Sequence, residues 1–136
     1  ARQLGDTVTR HDRTEPELNV RATSGEPLDT TSPRAMANTV RKLLLGDALQ
    51  PSSRDRLMQW LLANTTGGKR LRAGVPAGWS VGEKTGTAGN DANDIGIAIP
   101  PQRAPLIVTA YLAESATDSS TRDSALASVG RLLARQ

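Results

Sequence analysis

Glu15 and Asn19 stand four residues apart in the run Arg13-Thr14-Glu15-Pro16-Glu17-Leu18-Asn19. A carboxylate held beside an ordered water can take its proton, an effect worth about 10²- to 10⁴-fold in rate. An asparagine nearby can hold the same water through its carbonyl oxygen. The same run also reads as a helix N-terminus, where acidic residues are favoured at the positive end of the dipole. Chemistry alone leaves both readings open.

A second group is Lys84-Thr85-Gly86-Thr87. Lys84 offers a fixed positive charge, Thr85 a hydroxyl, and Gly86 lets a ligand approach the backbone. Against this stands a lysine on an edge strand that merely faces water and blunts aggregation. Arg70 is a third candidate, because a guanidinium suits bidentate binding of a carboxylate. An ordinary surface arginine fits it equally well, and Arg122 is a weaker alternative.

Much other chemistry is excluded. With no cysteine there is no disulfide, thiol catalysis or cysteine-ligated zinc. With His11 as the single histidine, a His-based metal site or a Ser-His-Asp triad within this chain is hard to build, so no metal and no cofactor are expected. Thr66-Gly67-Gly68-Lys69 fails as a phosphate loop: Ala63 stands where a glycine is needed, and Arg70 where Ser or Thr must follow the lysine. The 17 basic and 14 acidic residues are interspersed, and two Trp and one Tyr are the only aromatics, so no nucleic-acid platform is expected. No apolar run approaches the roughly 20 residues that span a bilayer, and no membrane partner is expected. The start, Ala1 to Asp6, does not read as a signal peptide; without an initiator Met, the chain reads as a mature or excised piece.

The elements that would position these groups follow from the hydrophobic period. Residues 6 to 31 are polar and turn-rich, with Pro16, Gly25 and Pro27, and read as a packed functional loop. A helix is predicted over 32–45, capped by Ser32 with Pro33 at its first position and Met36, Val40, Leu43 and Leu44 as its apolar stripe. A second helix is predicted over 52–63. Ser52 and Asp55 would form its capping box, and Leu57, Trp60 and Leu61 would share one face. Strands are predicted at 79–84, 95–99 and 106–112, the last two joined directly and so antiparallel. An amphipathic helix, 120–135, closes the chain; Ser120-x-x-Asp123 marks its start, and Ala125, Leu126, Val129, Leu132 and Leu133 line its buried side. The fold class is α+β, an antiparallel sheet flanked by helices.

The stretch Thr9 to Asn19 resembles the Ω-loop of class A serine β-lactamases, whose motif set also includes a Lys-Thr-Gly strand. Asp29-Thr30-Thr31-Ser32-Pro33-Arg34-Ala35-Met36-Ala37 resembles the segment that closes that loop, and Lys69 to Trp79 the stretch before the Lys-Thr-Gly strand. The resemblance implies that Glu15 activates the water that hydrolyses an acyl-enzyme and that Asn19 helps to position it. It also implies a cis Glu15–Pro16 bond and an Arg13–Asp29 salt bridge pinning the loop ends. It gives the carboxylate of a β-lactam to Lys84 and Thr85, half of an oxyanion hole to the amide of Thr87, and a carboxylate arginine to Arg70. Transpeptidase relatives share Lys-Thr-Gly but generally lack the Glu-bearing loop.

The family's Ser-x-x-Lys and Ser-Asp-Asn motifs are not in this sequence. The resemblance therefore implies an incomplete β-lactamase/transpeptidase-like fold, its N-terminal half absent. Residues 1–73 would be the Ω-loop and part of an all-helical subdomain, and 74–136 the three strands and last helix of an α/β subdomain. The implied partners are β-lactam small molecules and the N-terminal half of the same enzyme, in a monomeric periplasmic or secreted protein. Alone, the chain is expected to be inactive and poorly folded, because strand 106–112 and the last helix would lack partners.

Overall fold

The computed structural model describes residues 1–20 and 27–135. The central part of the predicted loop, 21–26, lies outside them. Three antiparallel strands, β1 (Ser80–Ala88), β2 (Asp91–Ile99) and β3 (Leu106–Leu112), form one sheet in the order β1-β2-β3. Four helices flank it: α1 (Pro33–Leu44), α2 (Pro51–Leu62), α3 (Leu71–Gly74) and α4 (Ser119–Leu133). The α+β class is as the sequence predicts, and the third strand has the predicted limits.

Alternation along β2 assigns the two faces of the sheet. Ile97 is fully buried with Val40 and Leu44 of α1, and Met36, Leu57, Leu61, Ile95, Ile99 and Ile107 pack around them. Ala92 on the opposite face joins Val108, Ala110, Leu71 and Leu126, which are the contributions of β3, α3 and α4. One core lies under α1 and α2, the other under α3 and α4. The α3–α4 contact is close enough to require glycine. A Cβ on Gly130 would lie 2.3 Å from the carbonyl oxygen of Leu71, a backbone atom with little room to retreat.

Helix α1 starts as predicted: the Ser32 side chain accepts from the Ala35 amide at 3.2 Å, and Pro33 occupies the first turn. The predicted starts of the other two long helices need correction. Helix α2 begins at Pro51 after Gln50 with no side-chain cap, so Ser52 and Asp55 form no capping box there. A proline in the first turn needs no partner for an amide it does not have. Asp118, not Ser120, caps α4, its carboxylate accepting from the Thr121 amide at 2.9 Å. Two apolar faces also shift. Trp60 is 67% exposed while Leu57 and Leu61 face the sheet; in α4, Leu132 is exposed and Ala127 is buried where Ala125 was expected.

Strands β1 and β2 both run several residues beyond the predicted limits and meet at the turn Gly89-Asn90, where Gly89 adopts φ 51°. The hairpin carries the whole Lys84–Thr87 group inside β1, paired to β2 as Lys84↔Ile95, Thr85↔Asp94, Gly86↔Asn93 and Thr87↔Ala92.

Candidate active site

The Glu15 loop is built on α1. Asp6 is buried and accepts from the amides of Val8 (3.0 Å) and Thr9 (2.8 Å), from the Thr9 hydroxyl (2.5 Å) and, across to α1, from the Thr39 hydroxyl (3.0 Å). Those donors, led by Thr9, hold the Asp6 carboxyl well below the usual range. Thr9 also meets Thr31 at 2.7 Å, and the Arg10 amide donates to the Thr30 carbonyl at 2.8 Å. The chain entering the loop is thus stitched to the chain leaving it.

The next rung is Arg13 and Asp29. Arg13 Nε lies 2.6 Å from Asp29 Oδ2, while Asp29 Oδ1 accepts from the amides of Asp12 (2.7 Å) and Arg13 (3.0 Å). Asp12 returns the contact by accepting from the Asp29 amide at 2.9 Å, and is itself paired with Arg10 at 2.8 Å. The Arg13 side chain first, and then its amide, hold the Asp29 carboxyl well below its ordinary value. Asp29 sits at φ 53°, a left-handed conformation that aspartate tolerates better than most residues. His11 is 70% exposed, with Nδ1 3.5 Å from Asp29 Oδ1.

Within the closed loop, Asn19 Nδ2 donates to Glu15 Oε2. That bond uses one amide proton of the asparagine and one carboxylate oxygen, leaving Asn19 Oδ1 and Glu15 Oε1 as acceptors for a donor such as water. The Glu15–Pro16 peptide is cis. The helix that follows, Glu17–Asn19, is a single turn of 3-10 helix, too short to develop the dipole that would by itself attract an acid.

The second group lies on β1. Lys84 is exposed and its Nζ donates to the Thr85 carbonyl at 2.5 Å. Arg70 is not the surface arginine that was one of its two readings: its side chain is 10% exposed. Its Nε donates to Asp123 Oδ1 (2.8 Å), Nη1 to the carbonyls of Gly86 (3.1 Å) and Asn93 (2.9 Å), and Nη2 to Thr87 Oγ1 (2.7 Å). Arg70 thereby ties α4 to the end of the Lys84–Thr87 strand. Arg122 is buried and donates to the Thr117 carbonyl at 2.9 Å, which occupies it in the turn before α4. Among the described residues, no hydrogen bond or ion pair joins the Glu15 loop to β1; α1, bonded to β3 through Thr109 Oγ1 and the Pro33 carbonyl (2.8 Å), fixes the loop relative to the sheet.

These features converge on one family. A model of the β-lactamase enzyme family matches residues 1–136. The chain belongs to that family. A β-lactamase of Streptomyces albus G is 50% identical over 134 residues, covering 98% of this chain and 42% of that protein. One from Citrobacter koseri is 47% identical, covering 98% and 45%. Among solved structures, an ancestral class A β-lactamase superposes with a TM-score of 0.94 at 59% identity, covering 98% of this chain and 52% of that one. The chain therefore spans about half the length of the class A relatives it matches.

Several residues near this site escaped the sequence reading. Asp123, which in the sequence only marks a helix start, holds Arg70. Glu83 and Asp94 are both fully buried beneath the strand. Their signal was available in the alternation: Glu83 shares a face of β1 with buried Val81, and Asp94 a face of β2 with buried Ala92 and Ala98.

Proposed function

We propose that this chain is the deacylating and substrate-binding part of a class A serine β-lactamase that opens penicillins or cephalosporins through a serine acyl-enzyme. The observation that carries this reading is the Glu15–Asn19 contact inside a loop closed by Arg13 and Asp29. In it, Glu15 takes the proton of the water that attacks the acyl-enzyme, and Asn19 Oδ1 accepts from the same water. The nucleophilic serine comes from an N-terminal half of the enzyme, because this sequence holds neither Ser-x-x-Lys nor Ser-Asp-Asn. Lys84 and Thr85 hold the substrate carboxylate, and Arg70, whose bonds to Asp123, Gly86, Asn93 and Thr87 use four of its five N–H groups, offers it an Nη2 proton. Gly86 leaves the strand open to the ligand, and the amide of Thr87 serves the oxyanion. Pro16 shapes the loop. The whole enzyme acts as a monomer in the periplasm or outside the cell, without metal or cofactor, and confers resistance to its substrates.

The test is nitrocefin hydrolysis by this chain mixed with the N-terminal half of a class A relative. Hydrolysis by the mixture and by neither part alone is the expected result. A folded complex that leaves nitrocefin intact would make the chain a scaffold-only module.

Asp29 gives a finer test. Asp29→Asn keeps the shape but removes the charge that holds Arg13 Nε at 2.6 Å. A base misplaced by about 1 Å loses on the order of 100-fold in rate. A partial loosening is expected to slow deacylation by about tenfold, read by single-turnover kinetics in the complete enzyme. Equal rates in both forms would remove the clasp from the mechanism.

A further inference from the structure

Thr85 does not stand alone on its face of β1. Thr66 Oγ1 lies 2.5 Å from Thr85 Oγ1 and donates to Asn64 Oδ1 at 2.9 Å. The Thr66 amide also points at Asn64 Oδ1, at 3.4 Å, which requires an oxygen at that end of the side-chain amide. Proton counting then sets every direction. Asn64 Oδ1 can only accept, so Thr66 spends its single hydroxyl proton there. The bond between the two hydroxyls must be donated by Thr85. In this state Thr85 turns lone pairs, not a proton, toward any ligand on the strand, which is the wrong polarity for a carboxylate.

Thr66 is held firmly in reach. Arg72 Nη1 donates to the Asn64 carbonyl (2.9 Å) and Nη2 to the Val81 carbonyl (3.1 Å), binding the turn to β1. Gly67 packs so tightly on the strand that a Cβ there would lie 1.9 Å from Glu83 Oε1. The Arg70 amide donates to the Gly67 carbonyl at 2.9 Å, and the Arg70 side chain then holds Thr87. Thr85 and Thr87, two residues apart and on one face, are thus each held by a side chain from the same short segment.

We infer that Thr66 is a positioning residue for carboxylate recognition, acting through Thr85. An arriving carboxylate takes the Thr85 proton in a hydrogen bond, and Thr66 turns its own proton from Asn64 to Thr85 Oγ1. No covalent bond changes; two hydroxyl protons rotate. The relay fixes the Thr85 rotamer before binding and strengthens its donation after. This inference rests on the reading that β1 binds a substrate carboxylate.

The experiment uses the complete enzyme, this chain joined to a class A N-terminal half, with nitrocefin as the anionic probe. Losing one neutral hydrogen bond is expected to raise KM about three- to tenfold in Thr66→Val, with kcat within about twofold. Thr66→Ser keeps the hydroxyl and is expected to match the unmodified enzyme. In a Thr85→Val background, Thr66→Val is expected to add nothing. An unchanged KM in Thr66→Val, an equal rise in Thr66→Ser, or a full further loss in the Thr85→Val background would each overturn the relay. Thr66 is exposed and valine has its shape, so folding is not at stake. Glu15→Gln, which alters the water and not the carboxylate contact, separates failure of the relay from failure of the β-lactamase reading.

Discussion

Glu15→Gln in the complete enzyme is expected to leave acylation by a β-lactam intact and to stall the acyl-enzyme. Glutamine keeps the size of the side chain but cannot accept a proton, so the loss is the whole general-base contribution, about 10²- to 10⁴-fold in deacylation. The Asn19 Nδ2 bond survives, because the amide oxygen of Gln can still accept it. The loop geometry therefore stays as a control within the same variant. Intact-protein mass spectrometry after mixing with substrate reads the result: the unmodified enzyme shows little adduct at steady state, and the Gln variant shows a persistent one. Were Glu15 merely an acid at a helix start, the substitution would cost a few tenths of a kcal/mol of stability and no rate. The single-turn helix that follows Glu15 already weakens that reading, since three residues align too few peptide dipoles to reward an acid. An adduct that decays at the normal rate would remove Glu15 from the chemistry.

What the sequence made legible divides along a physical line. Contacts local in the chain, or carried by a motif, were readable. Ser32 before Pro33 announces a cap because the two groups lie three residues apart, and the Arg13–Asp29 clasp follows from a family pattern that specifies both ends. Contacts set by how elements meet were not. Arg70 reads as a surface or ligand arginine until α4 brings Asp123 to its Nε and the hairpin brings Gly86, Asn93 and Thr87 to its two Nη atoms. Trp60 falls on the same helical stripe as Leu57 and Leu61, yet the sheet reaches only part of that stripe and leaves the indole in water. The α2 start was misread for a local reason: Pro51 opens the helix without a side-chain cap, so the serine and aspartate spacing that suggested one was idle. The relay at Thr66 needed both the turn and the strand in place, because its partners are 19 residues apart in sequence.

The buried acids under β1 carry the largest expected stability effects. Glu83 and Asp94 each have 0% exposure, and Arg72 Nε lies 2.9 Å from Glu83 Oε1 in a contact of charge rather than of aligned hydrogen bonding. Burial first, and then the negative charge of Glu83, push the Asp94 carboxyl up to about 8 from an ordinary 3.8, while the Leu71 amide, donating to Asp94 Oδ2 at 3.1 Å, acts in the opposite sense. The sign of the pH dependence follows. Between about pH 4 and pH 8 the folded protein keeps a proton on Asp94 that the unfolded chain has lost, so stability falls as pH rises across that window and levels off above it. Asp94→Asn is a permanent mimic of the protonated form: its oxygen accepts from Leu71 and its Nδ2 donates toward Glu83. In urea unfolding of the complete enzyme, it is expected to be the more stable form at pH 8, with the advantage gone near pH 4. Glu83→Ala is expected to cost about 3–5 kcal/mol, because it leaves Arg72 without its carboxylate and opens a void beneath Gly67. The two variants move stability in opposite directions at pH 8 although each deletes one acid of the same pair. Arg72 explains the asymmetry: it sits against Glu83, so the charge belongs there and the proton on Asp94. An Asp94→Asn variant less stable than its parent at pH 8 would reverse that assignment.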